Sequence, residues 1–265
     1  MKYFDFRRYA MLLRLDLVGQ WRKNAIVMGG LFMACFAIML SKLTYHSAIA
    51  DNYVYHANDH AVAVTVFVFI GILWTLCLAK SASMLMAHTR SKQQFIAHFT
   101  LPATTGEKFA ARLTYLVLGQ TAGFALCFAA ADLLQGLLFC SMHDVPMFFT
   151  PFLLRYIGDF FTENSAADVT LTLLMGLYGH AAYTLGAALF RRWPFVLTTF
   201  CNWLLGLLFI SGCFYIAHAY LSTETRITLT MWQEVSKIGA IVVYSAVCAT
   251  FYTLSYFLYR RRQLA

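Results

Sequence analysis

Long stretches without charge are what most constrain this chain. Its Lys, Arg, Asp and Glu residues gather at a few places. Between those places run apolar segments of about 18 residues or more, the length that crosses roughly 30 Å of hydrocarbon. The whole chain is 60% hydrophobic and 12% charged, with a mean hydropathy of +0.64, which excludes an ordinary soluble domain. The segments predict an all-α polytopic membrane protein. Its six transmembrane helices are expected at about residues 25–43, 61–79, 113–134, 169–190, 195–217 and 238–258. One membrane domain fills residues 1–265, and no internal repeat or linker is visible. Aromatic residues make up 17% of the chain, as two interfacial belts require.

Charge sets the orientation. Of the 20 Lys and Arg residues, sixteen lie in the N-terminal leader, the 80–112 interval, the Arg191-Arg192 turn and the C-terminal Arg260-Arg261-Arg262. The other four are Lys42, Arg155, Arg226 and Lys237. Most acidic residues fall with those four. The positive-inside rule then gives N-in and C-in termini, which agrees with an even number of spans. The basic pI near 9.2 follows this topology and not one exposed patch, so nucleic acid is not an expected partner. No cleavable signal peptide is evident, and the first span is expected to be retained.

Residues 4–23 are amphipathic, with Phe6, Ala10, Leu13, Leu17 and Trp21 at helical spacing and Arg7, Arg8, Arg14 and Arg22 off that stripe. They predict an interfacial helix on the inner leaflet, in contact with membrane lipids. Gly119 and Gly123 form a GxxxG pair, extended by Cys127 and Ala131, and are the expected helix-packing face. Asp132 should lie near the outer boundary, about 30 Å along the helix from Arg112. Residues 135–167 are apolar but interrupted by Pro151, Arg155 and Asp159, and predict an outer amphipathic or re-entrant segment. The seven cysteines show no C-x-x-C spacing and read as packing residues.

Candidate chemistry is sparse. His180 in the fourth span and Asn202 in the fifth are polar groups at membrane depth. Each either bonds another helix or lines a path. His56, Asp59 and His60 cluster in the first outer loop, where two histidines at i, i+4 have metal-ligand spacing. Solvated loop residues explain them as well, and no metal site is assigned. No catalytic residue is assigned, because the common phosphate-loop, zinc-protease and nucleophile-elbow motifs are absent. An ATP-driven machine built on this chain would therefore need ATP and Mg on a separate subunit. The chain itself is expected to bind no cofactor and to be no enzyme.

The polar, basic interval Lys80–Arg112 separates the second and third spans on the inner side. At its centre is Leu101-Pro102-Ala103-Thr104-Thr105-Gly106-Glu107-Lys108-Phe109. Pro102 stops an arriving helix. Thr104 and Glu107 have capping-box spacing, so a new helix starts there. A rigid elbow and a well-capped loop both fit this local pattern.

The LPATTGEKF run, the basic TRSKQQ before it and the amphipathic leader resemble small bacterial ABC-2-type transporter permeases. In those proteins a similar Leu-Pro-Ala-x-x-x-Glu-Lys-Phe follows the second span. The resemblance implies a six-span permease of the inner (cytoplasmic) membrane, working with a separate ABC ATPase subunit as a homodimer or heterodimer of permeases to export a substrate. It further implies that Leu101, Pro102, Glu107, Lys108 and Phe109 shape a partner-coupling elbow, with Arg90 and Lys92 meeting the partner or lipid. The first outer loop, 44–60, has no match in that pattern. The alternative is a non-transport membrane protein, a sensor or assembly factor, that binds a cytoplasmic partner.

Overall fold

The computed structural model describes residues 4–19, 21–49, 55–87, 93, 96, 98, 100–143, 148–190, 192–220 and 229–264. Side chains at 42–49, 55–63, 142–143, 213–214, 216–220, 229–235 and 263–264 lie outside that description. Among the described residues the chain is helical and has no strand. In order come α1 (Phe6–Gly19), α2 (Trp21–Ile49), α3 (Tyr55–Ala82), α4 (Thr105–Thr114), a π-helical turn (Tyr115–Gly119), α5 (Gln120–His143), α6 (Thr150–Glu163), α7 (Ala166–Leu189), α8 (Pro194–Tyr220) and α9 (Leu229–Leu264).

Five stretches of the described residues are long and apolar enough to cross a membrane by length and composition. They are Trp21–Ser41, Val64–Ala82, Thr105–Ser141, Pro194–Gly212 and Ser236–Arg262. The expected span at 169–190 is not among them. It forms α7, whose 24 residues suffice in length. Gly176, Gly179, Gly186, His180 and three threonines dilute its apolar character. That dilution fits its surroundings, because His180 to Ala182, Thr184 and Gly186 to Ala188 are all buried. That buried C-terminal half needs small and polar contact residues more than a lipid-soluble surface.

The fold divides into two compact groups. The first holds Asp5–Leu78 and Ala110–Glu163, and the second holds Met1–Phe4, Ala79–Phe109 and Asn164–Ala265. In the first, α2 packs along α5. Leu31, Cys35 and Met39 meet Phe124, Phe128 and Ala131, with Val66 and Ile70 of α3 and Phe149 completing the core. Tyr115 pairs with Asn24, and farther along Cys127 reaches the Met28 carbonyl. Both partners climb in number, so α2 and α5 run parallel, with α3 as the return.

Asp132 has a role its position on the chain does not announce. It is buried and accepts hydrogen bonds from the backbone of Phe149 (2.7 Å) and Thr150 (2.8 Å) and from the Thr150 hydroxyl (2.6 Å). These satisfy donors that the start of α6 leaves without a carbonyl. Pro151 does not interrupt this segment; it sits in the first turn of α6, where a missing N–H costs nothing.

In the second group α7 and α9 form the closest helix pair. Asp168 binds Lys237 at 3.0 Å, Tyr178 meets Tyr244 edge to face, and His180 Nδ1 lies 2.8 Å from the Tyr252 hydroxyl. At the far end Arg262 donates to the Ala188 carbonyl, an acceptor at the end of α7. Three of these pairs are separated by 69, 72 and 74 residues. A nearly constant offset means that α7 and α9 also run parallel, joined by the returning α8. Gly186 makes the α7–α8 crossing close: a Cβ there would overlap Thr198.

Candidate functional site

The elbow is built by one proline, one capping box and one aromatic clamp. Ala103 N–H donates to the Leu101 carbonyl at 2.8 Å, closing a tight bend at Pro102. Thr104 then caps α4. Its Oγ1 accepts from Glu107 N–H at 3.2 Å, and Glu107 Oε2 accepts from Thr104 N–H at 2.7 Å. Both bonds of the capping box are present, so two donors at the start of α4 are satisfied reciprocally.

The side chains after the cap turn inward. Glu107, Lys108 and Phe109 are 0%, 3% and 9% exposed. They can shape the bend, but they do not present charge or apolar surface to a docking protein. Phe109 packs edge to face on Tyr256 and Tyr259 of α9, with ring centroids 5.6 and 5.5 Å apart. Tyr259 is fully buried, and its hydroxyl lies 2.7 Å from His98 Nε2. The elbow is thus fastened to the C-terminal part of α9 from both sides of the Pro102 bend. Among the described residues of the elbow, Gln93, Ile96, Thr100 and Pro102 are exposed and Leu101 is half-buried. Arg90 and Lys92 lie outside the described residues.

The clamp residues His98, Tyr256 and Tyr259 escaped sequence reasoning. The partners lie 161 residues apart, and local periodicity carries no trace of such a contact. The dense aromatics at the end of the last span were the one available signal.

The base of the third span has its own fastening. Arg112, at the end of α4, donates to Asp16 of α1 at 2.7 Å, and its guanidinium stands 5.7 Å from the Tyr115 ring centroid. Tyr9 of α1 bonds Thr114 at 2.8 Å. Burial pushes the Asp16 carboxyl above its ordinary range, against the pull of Arg112. α1 is therefore tied by a largely buried ion pair and a hydroxyl pair.

The remaining candidates are not gathered at the elbow. Gly123 faces α2: a Cβ there would sit 2.5 Å from Met28 Cε. Gly119 closes the π turn, and a Cβ there would meet the ring of Tyr115 on its own helix at 3.3 Å. The two glycines thus do not form one contact face. His180 is buried and bonds Tyr252, with Thr184 Oγ1 at 3.4 Å; its Nε2 is buried without a hydrogen-bond partner. Asn202 is half-buried on α8. The side chains of His56, Asp59 and His60 lie outside the described residues, and no group of His, Cys, Asp or Glu among the described residues could hold a metal ion.

Long apolar helices with broad exposed apolar faces define a multi-pass membrane protein. No family model, curated protein or solved structure matches the chain.

Proposed function

We propose that the chain is the membrane-spanning permease subunit of an ABC-2-type exporter, with six spans, both termini inside, and a separate ATP-binding-cassette ATPase as its motor. The observation that carries this reading is the elbow: a proline bend with a complete capping box, clamped by Phe109 and His98 to α9. Such a bend is stiff, and it leaves Ile96, Thr100 and Pro102 as an exposed tip for a partner to push. Displacement of the tip would pass into α9 and, through the parallel pairing, into α7. Glu107, Lys108 and Phe109 keep the bend rigid in this scheme.

The sixth span is α7. Val169 to Leu189 covers about 30 Å of helix at 1.5 Å per residue, and α7 runs beside α9, itself a candidate span, over that length. The positive-inside charge pattern supports the same arrangement. Two permease copies would meet through apolar helix faces, and the substrate would be whatever the assembled dimer exports from the inner membrane.

Co-expression with an ABC ATPase, taken from the neighbouring coding sequence if that sequence specifies one, tests the reading. The two should co-purify, and the reconstituted pair should hydrolyse ATP faster than the ATPase alone. Ile96→Glu should weaken the pairing, while Arg155→Gln, distant in sequence from the elbow, should not. Accessibility of residue 96 or 100 from outside the cell would end the proposal, because no cytoplasmic motor could reach the tip. A chain that binds a cytoplasmic partner without altering any ATPase would favour the sensor or assembly-factor alternative.

A further inference from the structure

The groove between the end of α3 and the start of α8 is unexplained by coupling. It has a volume of about 770 Å³, and Lys80, Ser83, Met84, Arg192, Trp193 and Phe195 contribute to its walls. Lys80 and Arg192 are exposed, and no ion pair of either is described among the described residues. The stretches that build the groove offer them no counter-charge. No Asp or Glu occurs between Asp59 and Glu107 or between Asp168 and Glu224. Two cations therefore converge on one cavity without an anion from their own segments.

The depth of the groove narrows the choice of ligand. Lys80 stands near the end of the apolar stretch Val64–Ala82, and Arg192 just before Pro194–Gly212. Both cations therefore mark the ends of membrane-length helices, where headgroups lie. Trp193 occupies the same level and is 75% exposed. Its φ of 55° is left-handed, a region non-glycine residues rarely adopt. Its carbonyl accepts from Leu197 N–H, so the strained turn is pinned to the first turn of α8, and the position of Arg192 beside it is set by that turn. Met84, Phe195 and Val196 add apolar walls to the groove, the last two following Arg192 into α8. The groove continues onto the exposed face of α8 at Val196, Phe200 and Trp203.

We propose that this groove binds an anionic phospholipid, with the headgroup phosphate between Lys80 and Arg192 and an acyl chain along α8. A free phosphate ion would satisfy the cations but leave the apolar half unused. The inference depends on the membrane placement of α3 and α8 and not on transport, since the measurement involves no ATPase.

Native mass spectrometry of the detergent-purified chain, titrated with phosphatidylglycerol or phosphatidylcholine, tests it. Wild type should retain phosphatidylglycerol in preference to phosphatidylcholine. The double variant Lys80→Gln/Arg192→Gln should bind phosphatidylglycerol roughly 30-fold more weakly, from about fivefold per interfacial cation. Phosphatidylcholine binding should not change. Lys80→Arg/Arg192→Lys keeps both charges and should keep the preference, which separates lost binding from lost folding, and Arg155→Gln should behave as wild type. Equal phosphatidylglycerol retention by wild type and the double Gln variant would overturn the proposal. So would full displacement of the lipid by inorganic phosphate, which would make the groove a phosphate site instead.

Discussion

Removing the carboxylate of Asp16 should unfasten α1 from the base of the third span. Asp16 Oδ1 and the Arg112 guanidinium are 2.7 Å apart, with side chains 15% and 5% exposed. For charges centred about 4 Å apart and an effective dielectric near 20, the attraction is about 4 kcal/mol. Desolvation of both groups offsets most of it, so the intact pair stabilises little. Asp16→Ala is different, because the guanidinium stays buried without its anion. Breaking a buried pair from one side costs about 3–5 kcal/mol. Alanine recovers about 0.5 kcal/mol as the better helix former, and the partial exposure of Asp16 lets water in. The expected loss is therefore about 3 kcal/mol. Equilibrium unfolding in mixed micelles with increasing SDS, followed by far-ultraviolet circular dichroism, measures it. Asp16→Leu/Arg112→Met should lie within about 1 kcal/mol of wild type, since an apolar pair replaces a desolvated one. A single-variant loss below about 1 kcal/mol, or two single losses that simply add, would refute this account.

Two further outcomes follow from the α7 contacts. Gly186→Ala should destabilise the chain by about 1–3 kcal/mol through overpacking against Thr198. Adding Thr198→Ala should restore part of that loss in the same unfolding titration, because it removes Oγ1 and Cγ2 but leaves a Cβ 2.8 Å away. The second outcome concerns acid. Hydrogen bonds from Ser165 and Lys237 hold the Asp168 carboxyl below the ordinary range. A depressed carboxyl contributes stability at neutral pH and loses it as pH falls through the folded-state value. Hydrogen exchange at the N-terminal turn of α7 should therefore quicken in acid in wild type. In Asp168→Asn it should already be fast at neutral pH and should respond much less to acid.

What could be read before folding was what is local. Pro102, Thr104 and Glu107 lie within six residues, and their spacing alone specified a bend followed by a capped helix. The amphipathic leader was legible for the same reason; α1 covers most of 4–23, and Trp21 opens the next helix. What escaped depends on pairs far apart in sequence. Asp132 looked like a boundary carboxylate, yet it caps a helix that begins 18 residues later. Nothing local foretold that Glu107 and Lys108, read as shaping the elbow, are buried, because charged residues seldom are. Capping geometry turned them inward. The GxxxG spacing presumed a regular α-helix with both glycines facing a neighbour, but the π turn Tyr115–Gly119, one residue wider than an α turn, sets the Tyr115 ring against Gly119. Residue identity could not reveal that one added residue in the turn.

The parallel pairing of α7 with α9 has a consequence for how the chain is made. In the six-span layout, His180 enters the bilayer before Tyr252 exists, because 72 residues separate them. At synthesis rates of about 5–20 residues per second that interval lasts roughly 4–14 s. For that time a weakly apolar helix sits beside the ribosome-bound translocation machinery, its imidazole awaiting a phenol still to be translated. A stop codon placed after α8 should therefore yield a product that quality-control proteases remove, whereas the full-length chain seals itself when its last helix arrives.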